Sequence, residues 1–380
     1  IRNSDVLMSA IRFSDENLSR HEVSWPPTYL GDVPMNKITI PSKKSVAKAG
    51  DVLRATPIGS PKYAEAFNVL SSWRALYAFP LNDFNILLRR QCRALRITQA
   101  IVARRLKRTP SIITKLQRFP DMQLDRMQDI GGLRVVVPNI KDVYRLHQAL
   151  LNSNSGHEPK KTFDNYIVNP KQDGYRSLHQ VFKYRSTDFP EISELGLFVE
   201  VQIRTRLQHA WATAIETHGV LKNASIKVGI GTDDDKQFFR MASALFAYHE
   251  GTPLPEGFEG RDIKSIAAEF QTLTQRIGMF EMLSSVSLAA TRIPTDGAYC
   301  LISLDTEKRK VSLVSFDEND LDSAEDHYAA LEGRFSADEA KFVVLVSVAN
   351  LKDLRKAYPN CFLDTTKFIR KLHEICSSLN

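Results

Sequence analysis

Two short segments hold most of the chemistry this chain could perform. Gly174-Tyr175-Arg176-Ser177-Leu178-His179 sets an aromatic ring, a guanidinium and an imidazole close together, and Val199-Glu200-Val201-Gln202-Ile203-Arg204-Thr205 follows downstream. Alternate side chains of an extended segment point to opposite faces, so Glu200, Gln202 and Arg204 share one face while Val199, Val201 and Ile203 share the other. A carboxylate, an amide and a guanidinium in a row on a rigid strand suit a metal ion, a nucleoside and a phosphate chain. Plain polar alternation is also what any half-exposed strand shows. A second carboxylate weighs against that simpler reading. Asp129 stands directly before Ile130-Gly131-Gly132-Leu133-Arg134, where the glycines let backbone approach a ligand. Alone it would be a turn residue. Together with Glu200 and a run of cations it forms the set used for metal-assisted phosphoryl transfer.

The cations lie between Thr98 and Arg118: Arg104, Arg105, Lys107, Arg108, Lys115 and Arg118, with no acidic residue among them. Such a patch suits phosphate. In the loop Asn169-Pro170-Lys171-Gln172-Asp173-Gly174-Tyr175, a Tyr after Gly with Lys171 and Arg176 beside it suits stacking under a nucleobase. A hairpin loop with a surface Tyr, and a structural His179, are the simpler alternatives.

These groups need a scaffold. Apolar spacing is helical from Pro61 to about Arg118, and Thr109-Pro110 marks a helix start that puts Ser111, Lys115 and Arg118 on one face. The pattern then predicts a strand at 133–137, a helix at 140–151, strands at 178–184 and around Glu200, and a helix over 206–218. That is an α/β domain. Asp233-Asp234-Asp235 opens a helix running to Tyr248, and residues 251–262 read as a linker. A helix from 263 to about 290 follows, then strands at 299–304, 311–316 and 342–348 and helices near 321–331, 351–357 and 366–376. The expected organisation is an extended or partly disordered segment over 1–60, where prolines interrupt any helix, a catalytic α/β domain over 61–250, the linker, and a small separate α/β unit over 263–380.

With 380 residues, 43% of them hydrophobic and 25% charged, the chain is long enough for two domains. Its net charge of +7 favours an anionic partner but fits a nucleotide enzyme as well as an RNA binder. The absence of a membrane-length apolar run or a signal-like amino terminus predicts a cytoplasmic protein with no membrane partner. Cys92, Cys300, Cys361 and Cys376 are scattered, which argues against a disulfide framework or a zinc site.

In order along the chain, Arg-x-Lys at 105–107 with a Ser-x3-Lys helix at 111–115, Asp-x-x-Gly-x-Arg at 129–134, Gly-Tyr-Arg-Ser-Leu-His, Glu-x-Gln-Ile-Arg-Thr and a trailing His-Ala-Trp-Ala resemble the synthetase domain of the RelA/SpoT family. The resemblance covers about Arg104 to Lys222. It implies a nucleotidyltransferase-like mixed sheet flanked by helices. It further implies transfer of the β,γ-pyrophosphate of ATP, through Mg²⁺, to the 3′-hydroxyl of GDP or GTP, making a guanosine alarmone. Carried over by position, Arg105 would stack on adenine while Lys107, Ser111, Lys115 and Arg134 hold the phosphates. Asp129 and Glu200 would be catalytic and bind the metal, or Glu200 would deprotonate the acceptor. Tyr175 would stack on the acceptor base, with Lys171, Arg176, His179, Gln202 and Arg204 around it. Hydrolysing relatives carry a His-Asp dyad; nine histidines here include no His-Asp dipeptide, so no hydrolase is expected. Thr162-Phe163-Asp164-Asn165 matches neither known acceptor-preference pattern. Two other readings stand beside this one: a toxin-type relative acting on the tRNA 3′-CCA end or on adenine nucleotides, and a degenerate nucleotide-binding module. A regulatory ligand or protein at the carboxy-terminal unit and a homo-oligomer are compatible with all three.

Overall fold

Ser42 and Ser60 each accept a hydrogen bond from a backbone N–H three residues on, and so start the first two helices. In the computed structural model, which describes residues 40–57, 59–107, 109–224, 233–284, 298–305, 310–335, 341–347 and 365–379, these are α1 (Lys43–Ala55) and α2 (Pro61–Ala75), followed by α3 (Ala78–Ala94). The presence of α1 corrects the expectation of an unstructured segment as far as 60. Val46, Ala49 and Leu53 form a helical stripe and are 0%, 4% and 1% exposed. Residues 1–39 of that segment lie outside the described residues.

A second correction falls between the helices and the first glycine pair. Ile101–Leu106 is a strand, β1, rather than helix. Its β-branched start favours extended backbone, and it pairs antiparallel with β2 (Gly131–Val137). Arg104 and Arg105 therefore stand on a sheet margin, and only Ser111, Lys115 and Arg118 ride on the helix α4 (Thr109–Arg118). Beyond β2 come α5 (Ile140–Leu151), β3 (Glu158–Pro159), β4 (Asp164–Asn165), β5 (Leu178–Lys183), α6 (Pro190–Glu194), β6 (Phe198–Thr205) and α7 (Arg206–Ala224). The sheet order is β1-β2-β6-β5-β3 with β4 on β5. The β2–β6 pair is parallel and the others antiparallel. This is the expected mixed sheet flanked by helices.

Register divides the sheet into two faces. Leu133, Val201 and Gln180 pair in one row and Val135, Ile203 and Leu178 in the next, and their apolar members are buried on the side where α3 and α5 pack. The opposite face holds Arg105 beside Gly132 beside Glu200, then Arg134 beside Gln202 beside His179. Helix α7 packs across β2 and β6.

Downstream are α8 (Asp233–Glu250), α9 (Ile263–Ile277), the antiparallel sheet β8-β7-β9 (Lys310–Phe316, Tyr299–Asp305, Lys341–Ser347), α10 (Leu321–Phe335) and α11 (Thr366–Leu379). The core does not divide at 251–262. Phe258, inside the expected linker, is 2% exposed and belongs to one apolar cluster with Trp211 of α7, Phe238 and Phe246 of α8, Phe270 of α9 and Phe368 of α11. Ring pairs Phe238–Phe270 at 5.0 Å and Phe246–Phe368 at 5.6 Å join these helices. A smaller cluster of Leu301, Ala324, Tyr328 and Leu345 serves the second sheet. The long helix expected from 263 ends at Ile277, where Gly278 adopts φ 57°, a left-handed stop. The expected helix at 351–357 lies outside the described residues. No helix among the described residues is long and apolar enough to cross a membrane.

Candidate active site

Asp129 sits where the chain enters β2, and two lysines converge on it. Lys107 Nζ lies 2.8 Å from Oδ2 and Lys115 Nζ 2.9 Å from Oδ1. Lys107 is aimed there by its own backbone, whose N–H donates to the Ile130 carbonyl at 2.7 Å, while Lys115 comes from α4. Burial would raise the Asp129 carboxyl, but the two ammonium groups outweigh it and hold the group below the usual carboxylate range. Ser111 is exposed one turn before Lys115, and Arg105 is exposed on β1. Arg134 points its guanidinium toward Glu216 of α7 at 3.8 Å. The sequence reading had not singled out Glu216, although it lies in the His-Ala-Trp-Ala helix.

Glu200 is adjacent to Gly132 across the β2–β6 pair. A Cβ at 132 would lie 2.8 Å from the Glu200 carbonyl oxygen, so only glycine lets the strands meet there. One carboxylate oxygen of Glu200 accepts from His179 Nδ1 at 3.0 Å and the other from Gln202 Nε2 at 2.7 Å. The ring's other nitrogen, Nε2, is hydrogen-bonded to the Tyr175 hydroxyl at 2.9 Å, so the imidazole bridges Tyr175 and Glu200. Burial raises the Glu200 carboxyl and the Asp129 charge adds to it, but the bonds from His179 and Gln202 bring it below its ordinary value. The charge of Asp129 thus reaches Glu200 across the mouth of the sheet.

Around Tyr175 the loop makes a cationic aromatic surface. Lys171 Nζ lies 4.4 Å from the Tyr166 ring centre and 5.3 Å from that of Tyr175, and an open hollow of about 540 Å³ is lined by Tyr166, Asn169, Lys171 and Asp173. Tyr166 meets Tyr175 and His179 edge to face at 5.9 and 5.2 Å. Sequence reasoning missed Tyr166. Its signal was the return of the chain through β4 onto β5, where Asp164 pairs with His179.

Two predicted acceptor residues are elsewhere. Arg176 is 3% exposed, with its guanidinium on Glu250 at 3.2 Å and on the Thr252 hydroxyl. Arg204 is 1% exposed beneath the covering helices. Both are corrected from pocket lining to internal support, because α7 and α8 roof the distal part of the polar face.

Residues 104–225 match the family described as the region found in RelA / SpoT proteins. This chain carries a RelA/SpoT region. It is similar to the GTP pyrophosphokinase of Photobacterium angustum, 32% identical over 111 residues that make up 29% of this chain and 13% of that protein. It is similar as well to the GTP pyrophosphokinase YjbM of Bacillus subtilis, 33% identical over 119 residues, 30% of this chain and 52% of that one. The chain thus spans about half of the short relative and a small part of the long one. Among solved structures, small alarmone synthetase 1 of Bacillus subtilis bound to its product pppGpp aligns over 48% of this chain and 92% of its own, at 22% identity and TM-score 0.40. A GTP pyrophosphokinase family protein of Streptococcus pneumoniae aligns over 47% and 87%, at 27% identity and TM-score 0.39. Asp129, Glu200 and the whole loop from Lys171 to His179 lie inside the RelA/SpoT region; α8 and all that follows lie outside it.

Proposed function

We propose that the chain is a pyrophosphokinase that moves the β,γ-pyrophosphate of ATP to the 3′-hydroxyl of a guanine nucleotide. The observation that carries this is Glu200, ionised and held on both oxygens by His179 and Gln202 beside the Tyr175 platform. The acceptor oxygen would attack the β-phosphorus, the bond from that phosphorus to the α,β-bridging oxygen would break, AMP would leave, and the hydroxyl proton would pass to a base at the site. Lys107, Lys115 and Arg134 would take the triphosphate and Arg105 the adenine, with Tyr175, Tyr166 and Lys171 holding the acceptor base.

Among the described residues, no group of three or more His, Cys, Asp or Glu side chains could by itself hold a metal ion. Two carboxylates held below their ordinary range, with the charge of Asp129 reaching Glu200, nevertheless fit Mg²⁺, which binds through one or two carboxylates plus substrate phosphates. A bound Mg²⁺ would supply charge neutralisation at the transferring phosphates. A carboxylate held below its ordinary range is a weak base. This favours cation binding and hydroxyl orientation over proton abstraction as the role of Glu200.

The test is incubation with γ-labelled ATP and, separately, GDP, GTP, ADP, ATP and deacylated tRNA. Label in a guanine nucleotide is expected. Label only in an adenine nucleotide or in tRNA would move the chain to the toxin-type reaction, and label in none would defeat the enzyme reading.

A further inference from the structure

The acceptor loop is seated on a helix that does not belong to the RelA/SpoT region. Gly174 and Arg176, which flank Tyr175, are both fixed by α8. The Ser243 hydroxyl donates to the Gly174 carbonyl at 2.6 Å. Gly174 has φ 93°, and a Cβ there would stand 2.9 Å from Ser243 Cβ and 3.3 Å from Trp211 Cζ2, so loop and helix touch backbone to side chain. On the other side of Tyr175, the buried Arg176 guanidinium meets Glu250, the last residue of α8, whose side chain is 6% exposed.

Glu250 does more than pair with Arg176. It accepts from the Thr205 hydroxyl and from Gln208 Nε2 at 3.2 Å. Thr205 ends β6, the strand that bears Glu200 and Gln202, and Thr205 with Gln208 forms a reciprocal cap at the start of α7: the Gln208 N–H donates to Thr205 Oγ1 at 3.2 Å and the Thr205 N–H to Gln208 Oε1 at 3.1 Å. One buried carboxylate therefore ties together the loop bearing Tyr175, the strand bearing Glu200 and the helix roofing them. Burying such a charge is costly unless every partner is in place.

We propose that Glu250, with Ser243, is a positioning residue for the acceptor nucleotide: α8 sets where Tyr175 and His179 stand relative to Glu200. The kinetic half of this rests on the pyrophosphokinase reading, while the structural half does not.

The experiment uses the full chain and the variants Glu250→Ala, Glu250→Gln and Ser243→Ala. Steady-state kinetics should show the KM for the guanine nucleotide raised on the order of tenfold in Glu250→Ala, which is about what a buried charged hydrogen bond is worth. The KM for ATP should stay within about twofold, since Lys107 and Lys115 are held by Asp129 and Arg134 by Glu216 of α7. Glu250→Gln, which keeps the hydrogen-bond acceptor but loses the charge, and Ser243→Ala, which removes one bond, should give smaller rises in the same parameter and decide the matter if Glu250→Ala does not fold. Hydrogen exchange of a peptide covering 171–179 should quicken in the same order. Equal rises in both KM values, a fall in kcat alone, or unchanged exchange over 171–179 would overturn the proposal. A wild-type chain that transfers to no nucleotide would instead defeat the reaction, and exchange over 171–179 would still decide whether α8 holds the loop.

Discussion

Asp129 and Glu200 bring the same charge to neighbouring strands, yet they are neutralised by different means. Asp129 is met by Lys107 and Lys115, cations that a triphosphate would also demand, and around it Arg105 and Ser111 are exposed. Glu200 is met by an imidazole and an amide that are themselves anchored, through Tyr175, Arg176 and Thr205, to a buried network ending at Glu250. The Asp129 side holds its charges in a form that a ligand can exchange. The Glu200 side has its geometry fixed before any ligand arrives, a preorganisation of the kind on which electrostatic catalysis depends.

The sharpest way to break this contrast is to neutralise each carboxylate. Glu200→Gln should lower kcat by at least about 10²–10³, the scale for losing one preorganised electrostatic group, with the melting temperature preserved. Asp129→Asn should lose a comparable rate but bind a non-hydrolysable ATP analogue more tightly in calorimetry, because two lysines are freed for phosphate. Weaker analogue binding would show that Asp129 organises the lysines rather than competing for them.

The fixed half can be tested through its roof. Phe368 of α11 is fully buried against Phe238, Phe239 and Phe246, so Phe368→Ala should cost about 3–5 kcal/mol in chemical denaturation. Truncation after Pro255 removes Phe258, Phe270 and Phe368 together. It should abolish soluble folded protein, whereas a stable and more active product would make the carboxy-terminal portion a detachable regulator.

Tyr175→Ala should raise the acceptor KM about tenfold, the worth of one stacked base, and leave the ATP KM unchanged. A rise in both would merge the two halves into one site.

The smallest effect concerns His209 on α7, where burial and the charges of Arg204, Arg134 and Lys367 push the imidazole down to about 3. Between the ordinary histidine value of about 6.5 and that lower one, the unfolded chain binds a proton that the folded chain does not. Stability from this group is complete above about pH 6.5 and is lost as pH falls toward 3. His209→Gln should flatten the acid side of a stability profile measured by thermal melting. An unchanged profile would mean that other groups carry that side.

Much of the sheet and the site could be read in the sequence because period-two alternation at Glu200 and the glycine pair at 131–132 are local signals. β1 was hidden because Ile101–Leu106 is short and follows directly on helical spacing, so period alone did not mark the switch. The separate roles of Tyr175, Arg176 and His179 could not be read either. All three are polar neighbours in one motif, and only the packing of α8, which lies just ahead of the linker-like 251–262, decides which of them is buried. That segment has the glycines and prolines of a linker, and only Leu254 and Phe258 gave notice that it packs.

Among the described residues the sheet stops at β1, and Arg104 and Arg105 are exposed on that outermost strand. An unpaired strand margin invites another chain to add to it, and like charges along the margin repel that addition. The two arginines thus put repelling charge on the same margin where, in the proposed reaction, one of them would meet adenine. Variants that exchange Arg105 for an apolar residue will mix lost nucleotide affinity with lost colloidal solubility, and Arg105→Gln or Arg105→Lys will separate the two.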